Sequence, residues 1–190
     1  QPSSEILRHF AMEKDVPHQG LALDARPMEG GLWQVTTACR DRPGLFATIT
    51  GVLRLHGLNI LSADIYTRSY GIALDILIVE DVPDPLHPEE TWARVRRDLT
   101  RCVRDPEALT ALKERHRPPI PRKAVVGPKK PDRVVLDESA SDFYTVIEVY
   151  TWDRPGVLHA MTQTLFELGL TIQLAKISTP GAQVVDVFYV

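Results

Sequence analysis

The chain has 190 residues, of which 44% are hydrophobic and 25% charged, and its mean hydropathy is −0.12. That is the make-up of one or two folded domains with room for a core. A net charge of −3 and a pI near 6.1 argue against general affinity for nucleic acid, and no apolar run reaches the roughly 18–20 residues of a membrane span or forms a signal peptide.

Taken in chain order, Ser4–Phe10 reads as a helix end, and residues 1–20 as the tail of an upstream domain. The opening Gln1 supports the expectation that the chain is a piece of a longer protein. Leu21–Asp24 and Trp33–Cys39 are β-prone. The turn Asp41-Arg42-Pro43-Gly44 follows, then a helix with Phe46, Ile49 and Leu53 on one face, stopped at Gly57. Strands are expected over Leu58–Thr67 and Ile72–Val79, joined at Gly71. Pro88 opens a second helix with Trp92, Val95, Leu99, Cys102 and Val103 on its apolar side, and a short helix covers Glu107–Arg115 beyond a break at Pro106. Residues 113–133 carry eight Lys/Arg, two acidic residues and five Pro, and read as an extended, solvated linker.

The pattern then returns. Val134–Asp137 and Tyr144–Trp152 are β-prone, Asp153-Arg154-Pro155-Gly156 repeats the turn, and Leu158, Met161, Leu165 and Leu168 repeat the helix face. Gly169 stops that helix, and strands are expected over Leu170–Thr179 and Ala182–Val190 with a turn at Gly181. Of the 27 positions in 41–67, 12 are identical to their counterparts in 153–179, and Leu74-Asp75-Ile76 then meets Val185-Asp186-Val187. A period near 112 is too long for a solenoid, so the chain holds two copies of one domain, 21–112 and 134–190.

The order β-α-β-β-α is most of a ferredoxin-like βαββαβ unit of the α+β class. The second copy, ending at Val190, lacks its last elements. The fourth strand has two readings. Leu21–Asp24 and Val134–Asp137 each precede a copy and fit a permuted fourth strand; the rival makes Val134–Asp137 the closing strand of the first copy. The permuted reading explains both segments.

Chemistry concentrates at the two Asp-Arg-Pro-Gly turns. Each hands a strand to a helix, where unpaired N–H groups and the helix dipole form a seat for a carboxylate, and glycine keeps that seat open. Asn59, at the start of the next strand, offers amide donors and an acceptor to the same small molecule. Cys39 and Cys102 lie in no CxxC, which excludes a disulfide framework or zinc site by spacing and fits a reducing cytoplasm. His56 and His159 read as caps or packed side chains, His87 as loop, and Trp33, Trp92 and Trp152 as packing residues.

Asp-Arg-Pro-Gly-Leu-Phe followed by Gly-Leu-Asn-Ile resembles the ACT domain, an amino-acid-binding regulatory module of βαββαβ fold. The run Leu174–Thr179 with Gly181 and Val184–Val190 resembles the last ACT domain of the bacterial PII uridylyltransferase/uridylyl-removing enzymes. Glu5-Ile6, Arg8-His9 and Leu21–Pro27 resemble the stretch before their first ACT domain. The resemblance implies a cytoplasmic glutamine sensor in a bifunctional enzyme of nitrogen control, whose other domains add UMP to a PII signalling protein with magnesium, and remove it. No Asp-x-Asp pair or His-Asp dipeptide is present, so catalytic residues, metal and cofactors are expected outside this chain.

Carried over by position, the ligand seat is Asp41, Gly44, Leu45, Asn59 and Ile60, and its twin is Asp153, Gly156, Val157, Thr171 and Ile172. Thr171 stands where Asn or Asp is common, so the first copy is the better candidate. ACT domains also pair edge to edge, within or between chains, which would cover the open strand Leu58–Thr67. Other readings are ACT domains of another amino-acid-controlled enzyme or regulator, a ligand-free ACT association module, a small phosphatase using Arg42 or Arg154, and an RNA-recognition domain, whose base-stacking aromatics are missing from the central strands.

Overall fold

A computed structural model describes residues 2–80, 82–105, 107–115, 131–154, 156–178 and 183–190. The turns expected at Pro106 and Gly181, and residues 116–130 of the linker, lie outside them.

The elements run α1 (Pro2–Gln19), β1 (Leu21–Pro27), β2 (Trp33–Arg40), α2 (Leu45–Leu55), β3 (Asn59–Thr67), β4 (Ile72–Glu80), α3 (Pro88–Arg104) and α4 (Ala108–Arg115). They continue with β5 (Arg133–Asp137), β6 (Val146–Trp152), α5 (Val157–Glu167), β7 (Leu174–Ser178) and β8 (Gln183–Tyr189). All eight strands form one antiparallel sheet in the order β1-β2-β4-β3-β7-β8-β6-β5. Each half is a ferredoxin-like unit, the second with one helix among the described residues, and a pseudo-two-fold axis at the β3–β7 joint relates them. In each half the strand that precedes the unit fills the outer slot: β1 pairs with β2, and β5 pairs with β6, not with β2.

One face of the sheet carries four helices. Ile49, Val52 and Leu53 of α2 pack with Val95 and Leu99 of α3, and with Leu158 and Leu165 of α5, over Val35, Leu77, Ala175 and Phe188. The apolar period that predicts these helices is the period that fills this core. Leu168 is the exception: it is the C-cap of α5 and 70% exposed, because the helix ends before its side chain can turn inward. The opposite face is covered over the first half by α1, where Met12 and Val16 pack on Ala22, Ala38, Ile72 and Leu74. Glu13 ties α1 down further, accepting from Arg68 Nε at 3.1 Å and from the Tyr70 hydroxyl.

The β3–β7 joint joins Ser62, Ala63 and Asp64 to Ser178, Ile177 and Lys176. Above it α2 crosses α5, and Gly51 lies where a Cβ would come within 2.9 Å of the His159 ring. A small residue here lets the helices approach closely. β7 is shorter than the sequence predicts. Leu170, Thr171 and Ile172 lie outside the ladder, whose first rung is Leu174 with Tyr189. The equivalent start of β3 is in the ladder but bulged at Leu61.

Candidate ligand-binding site

Both glycines of the repeated turn take the place their residue type suits. Gly44 caps α2 at φ +73° and Gly156 caps α5 at φ +81°, a left-handed backbone that costs other residues. Neither cap has a side chain for the first turn; the Leu45 N–H donates back to Arg42 O at 3.1 Å and the Val157 N–H to Arg154 O at 3.0 Å, so the helix donors left for the corner begin at Phe46 and Leu158. The Asp41 N–H bonds Gly71 O at 3.0 Å, which fixes the first turn to the β3–β4 hairpin. Arg42 is committed to structure: its Nη2 donates to Thr48 Oγ1 at 3.2 Å and to Cys102 O on α3 at 3.1 Å. That commitment removes it as the anion cradle of a phosphatase.

Two narrow clefts, with cavity volumes of about 20 Å³ and 30 Å³ between their side chains, flank the joint. The first is lined by Asp41, Gly44, Leu45 and Asp75 of the first half together with Phe166, Thr171 and Ile172 of the second. The second is lined by Asp153, Gly156, Val157 and Asp186 of the second half with Arg54, Asn59 and Ile60 of the first. All ten residues expected from the sequence therefore line a cleft, but the grouping is crossed. Asn59 and Ile60 do not join Gly44; they join Gly156, and Thr171 and Ile172 join Gly44. The reason is the β3–β7 joint, which sets the start of each strand against the opposite corner. The preference for the first copy falls with this, since the amide of Asn59 serves the Gly156 cleft.

Each corner is also overhung from across the joint by equivalent residues, 112 positions apart. A Cβ on Gly44 would lie 2.9 Å from the Phe166 ring, and one on Gly156 would overlap the Arg54 guanidinium. The clefts are unequal in charge as a result. The Gly44 cleft is capped by an aromatic ring that is 41% exposed; the Gly156 cleft holds a cation and a buried imidazole. His159 donates from Nδ1 to Ala47 O at 3.1 Å, and burial pushes its pKa down to about 4, so it is neutral there. Asn59 Nδ2 donates to Glu80 Oε1 at 2.8 Å, leaving its carbonyl oxygen for other donors. Burial and the nearby Glu80 carboxylate push Asp153 upward.

The floor of each cleft holds residues that the sequence reading passed over. Asp75 on β4 and Asp186 on β8 are 1% and 0% exposed, and burial lifts each to about 7. Their signal was available: an acid repeated in both copies inside an apolar strand, on the helix-facing phase. Among the described residues no group of three His, Cys, Asp or Glu is placed to hold a metal. No helix there is long and apolar enough to cross a membrane.

Residues 33–97 match the ACT domain family, and the second half repeats the same fold across the joint. The match identifies residues 33–97 as an ACT domain. Along 99% of its length it is similar to the bifunctional uridylyltransferase/uridylyl-removing enzyme of Rhodospirillum rubrum, at 36% identity over 192 residues. It is equally similar, at 36% over 201 residues and 97% of the chain, to the enzyme of that name from Gluconobacter oxydans. The chain spans 20% of the length of each of these relatives. Among solved structures it is similar to an aspartate kinase from Synechocystis over 84% of this chain and 24% of that one, at 17% identity and a TM-score of 0.43.

Proposed function

We propose that the chain is the regulatory, amino-acid-sensing part of a bifunctional uridylyltransferase/uridylyl-removing enzyme, with glutamine as its guest and nitrogen supply as its message. The observation that carries the reading is the pair of crossed clefts. Each joins a glycine-capped helix start, suited to a carboxylate, to polar side chains of the other half, suited to an amine or amide. Similarity along nearly the whole chain to the named enzymes supports the parent activity. In that parent, magnesium-dependent transfer of UMP to a PII protein and its hydrolytic removal would belong to other domains in the cytoplasm, and the clefts would bias one against the other. A sensor must stay in range with its metabolite, so an affinity near millimolar, about −4 kcal/mol, suffices.

Titration calorimetry of the 190-residue chain with glutamine, glutamate and serine tests this. Heat from glutamine at millimolar concentration supports the sensor, and silence from all three removes it. One feature favours a second reading, a ligand-free association module: the overhang of Phe166 on Gly44 and of Arg54 on Gly156. Silence in the same titration, with the joint intact, selects that reading.

A further inference from the structure

Asp75 and Asp186 occupy equivalent places, on the central strand of each half, and each is sealed under its cleft. Their bonding is thin. Thr37 Oγ1 donates to Asp75 Oδ2 at 3.4 Å, and the Ser178 N–H donates to Asp186 Oδ1 at 3.3 Å. Asp75 Oδ1 and Asp186 Oδ2 are buried with no hydrogen-bond partner among the described residues. A buried carboxyl oxygen without a donor is costly, and an oxygen on the wall of a cleft can be served by a guest. Each cleft also carries a second acid, Asp41 or Asp153, beside the floor carboxyl, while Arg42 in the first cleft and Arg54 and Arg154 in the second bring positive charge to the walls. The helix corner has a polarity opposite to that of the two carboxyls.

We propose that Asp75 and Asp186 are specificity-determining residues that receive the ammonium group of an amino-acid guest, orienting its carboxylate toward the Gly44 or Gly156 corner. This rests on the sensor reading above. It adds a named contact, a fixed orientation and a proton linkage. With both carboxyls lifted to about 7 by burial, the empty clefts hold protonated acids below neutrality. A guest ammonium stabilises the ionised form, so binding below pH 7 expels a proton from the carboxyl to solvent.

The surrounding groups leave this linkage legible. Asp75 faces Asp41 and Arg42 from the turn and Cys39 from β2, whose thiol is pushed up to about 12. Phe46 of α2, Ile65 and Thr67 of β3, and Phe166 of α5 bring no charge to that cleft. Asp186 faces Asp153 and Arg154 from its turn, Arg54 from α2, the neutral His159 from α5, and the Ser178 N–H from β7.

The test compares glutamine with its des-amino analogue, glutaramate, by calorimetry from pH 5 to 8 on the 190-residue chain and on Asp75→Asn/Asp186→Asn. The wild type is expected to prefer glutamine at least tenfold at pH 8 and to lose about tenfold in glutamine affinity per pH unit below 7. It should also release about one proton per filled cleft at pH 6, read from buffers of different ionisation enthalpy. The Asn variant is expected to bind both ligands alike at every pH. The wild-type arms stand even if that variant fails to fold. Glutamine binding without pH dependence or preference over glutaramate overturns this assignment and leaves the sensor reading intact. A chain that binds neither ligand overturns both.

Discussion

Thr50 and Thr162 meet hydroxyl to hydroxyl at 3.0 Å inside the α2–α5 crossing. They are 112 positions apart, which is the period of the repeat, so the pair marks the pseudo-two-fold axis of the chain. Ala47 and His159, separated by the same 112, meet beside it through the bond from the imidazole to the Ala47 carbonyl. Residues that contact their own counterparts are what an isologous interface produces, and here both partners belong to one chain.

Removing either hydroxyl deletes the contact across the crossing, while its mate keeps a bond to its own backbone, Thr50 to Ala47 O or Thr162 to His159 O, each at 3.1 Å. Thr50→Val or Thr162→Val is expected to cost about 0.5–1.5 kcal/mol, and the double variant less than the sum. A double-mutant cycle by urea unfolding measures this; additive costs would mean that the pair carries no coupling.

The glycine corners tolerate no side chain. Gly44→Val and Gly156→Val are each expected to lose about 1–3 kcal/mol from left-handed strain, with added overlap against Phe166 or Arg54. Thermal melts report the loss, and calorimetry should show the guest excluded from the altered corner alone.

Crossed clefts give a signature that separate sites cannot. With glutamine as titrant, Asn59→Ala is expected to abolish the shift of the Gly156 amide resonance and spare that of Gly44; Thr171→Ala should do the reverse. Shifts following the within-half grouping would refute the crossed arrangement.

Buried acids and a buried histidine pull stability in opposite directions with pH. Asp75 and Asp186 have raised pKa values, so their contribution is complete below the unfolded value near 4 and is lost as pH rises through about 7. His159 has a lowered pKa, so its contribution is present above about 6.5 and is lost as pH falls toward 4. Two acids outweigh one histidine, and the empty wild type is expected to have a higher urea midpoint at pH 5 than at pH 8. Asp75→Asn/Asp186→Asn leaves the histidine unopposed, and its midpoint should be lower at pH 5 than at pH 8.

Glu13 fastens α1 to the β3–β4 hairpin. Glu13→Ala is expected to raise hydrogen exchange in α1 and at Arg68–Gly71 while leaving α3 unchanged. Exchange unchanged in α1 would show that Met12 and Val16 alone hold the helix.

Most of the architecture is legible in the residues because local physics decides it. Apolar spacing predicts α2, α3 and α5, the Gly57 and Gly169 stops fall at helix ends, and paired leading strands favour the permuted arrangement seen in β1 and β5. Of the ten cleft residues, Gly44, Gly156 and Asn59 are legible as types, glycine where a helix starts from a left-handed corner and an amide where a strand begins; the rest follow from the resemblance by position. Their grouping is not legible, because nothing within 41–60 says that Asn59 faces a corner 97 positions further on rather than the one it follows. That depends on β3 meeting β7, a tertiary event. Asp75 and Asp186 carry a legible signal, one acid repeated in two apolar strands on the phase of Leu77 and Phe188, but that they floor a cleft depends on the same joint.

Among the described residues, three ladder pairs knit β3 to β7, and both cavities are assembled across that seam. Neither half could house a guest if severed from the other, and any slippage there would erase the two recesses in a single stroke. On the sensor reading proposed above, a guest in either recess would brace the seam from which the other is also built.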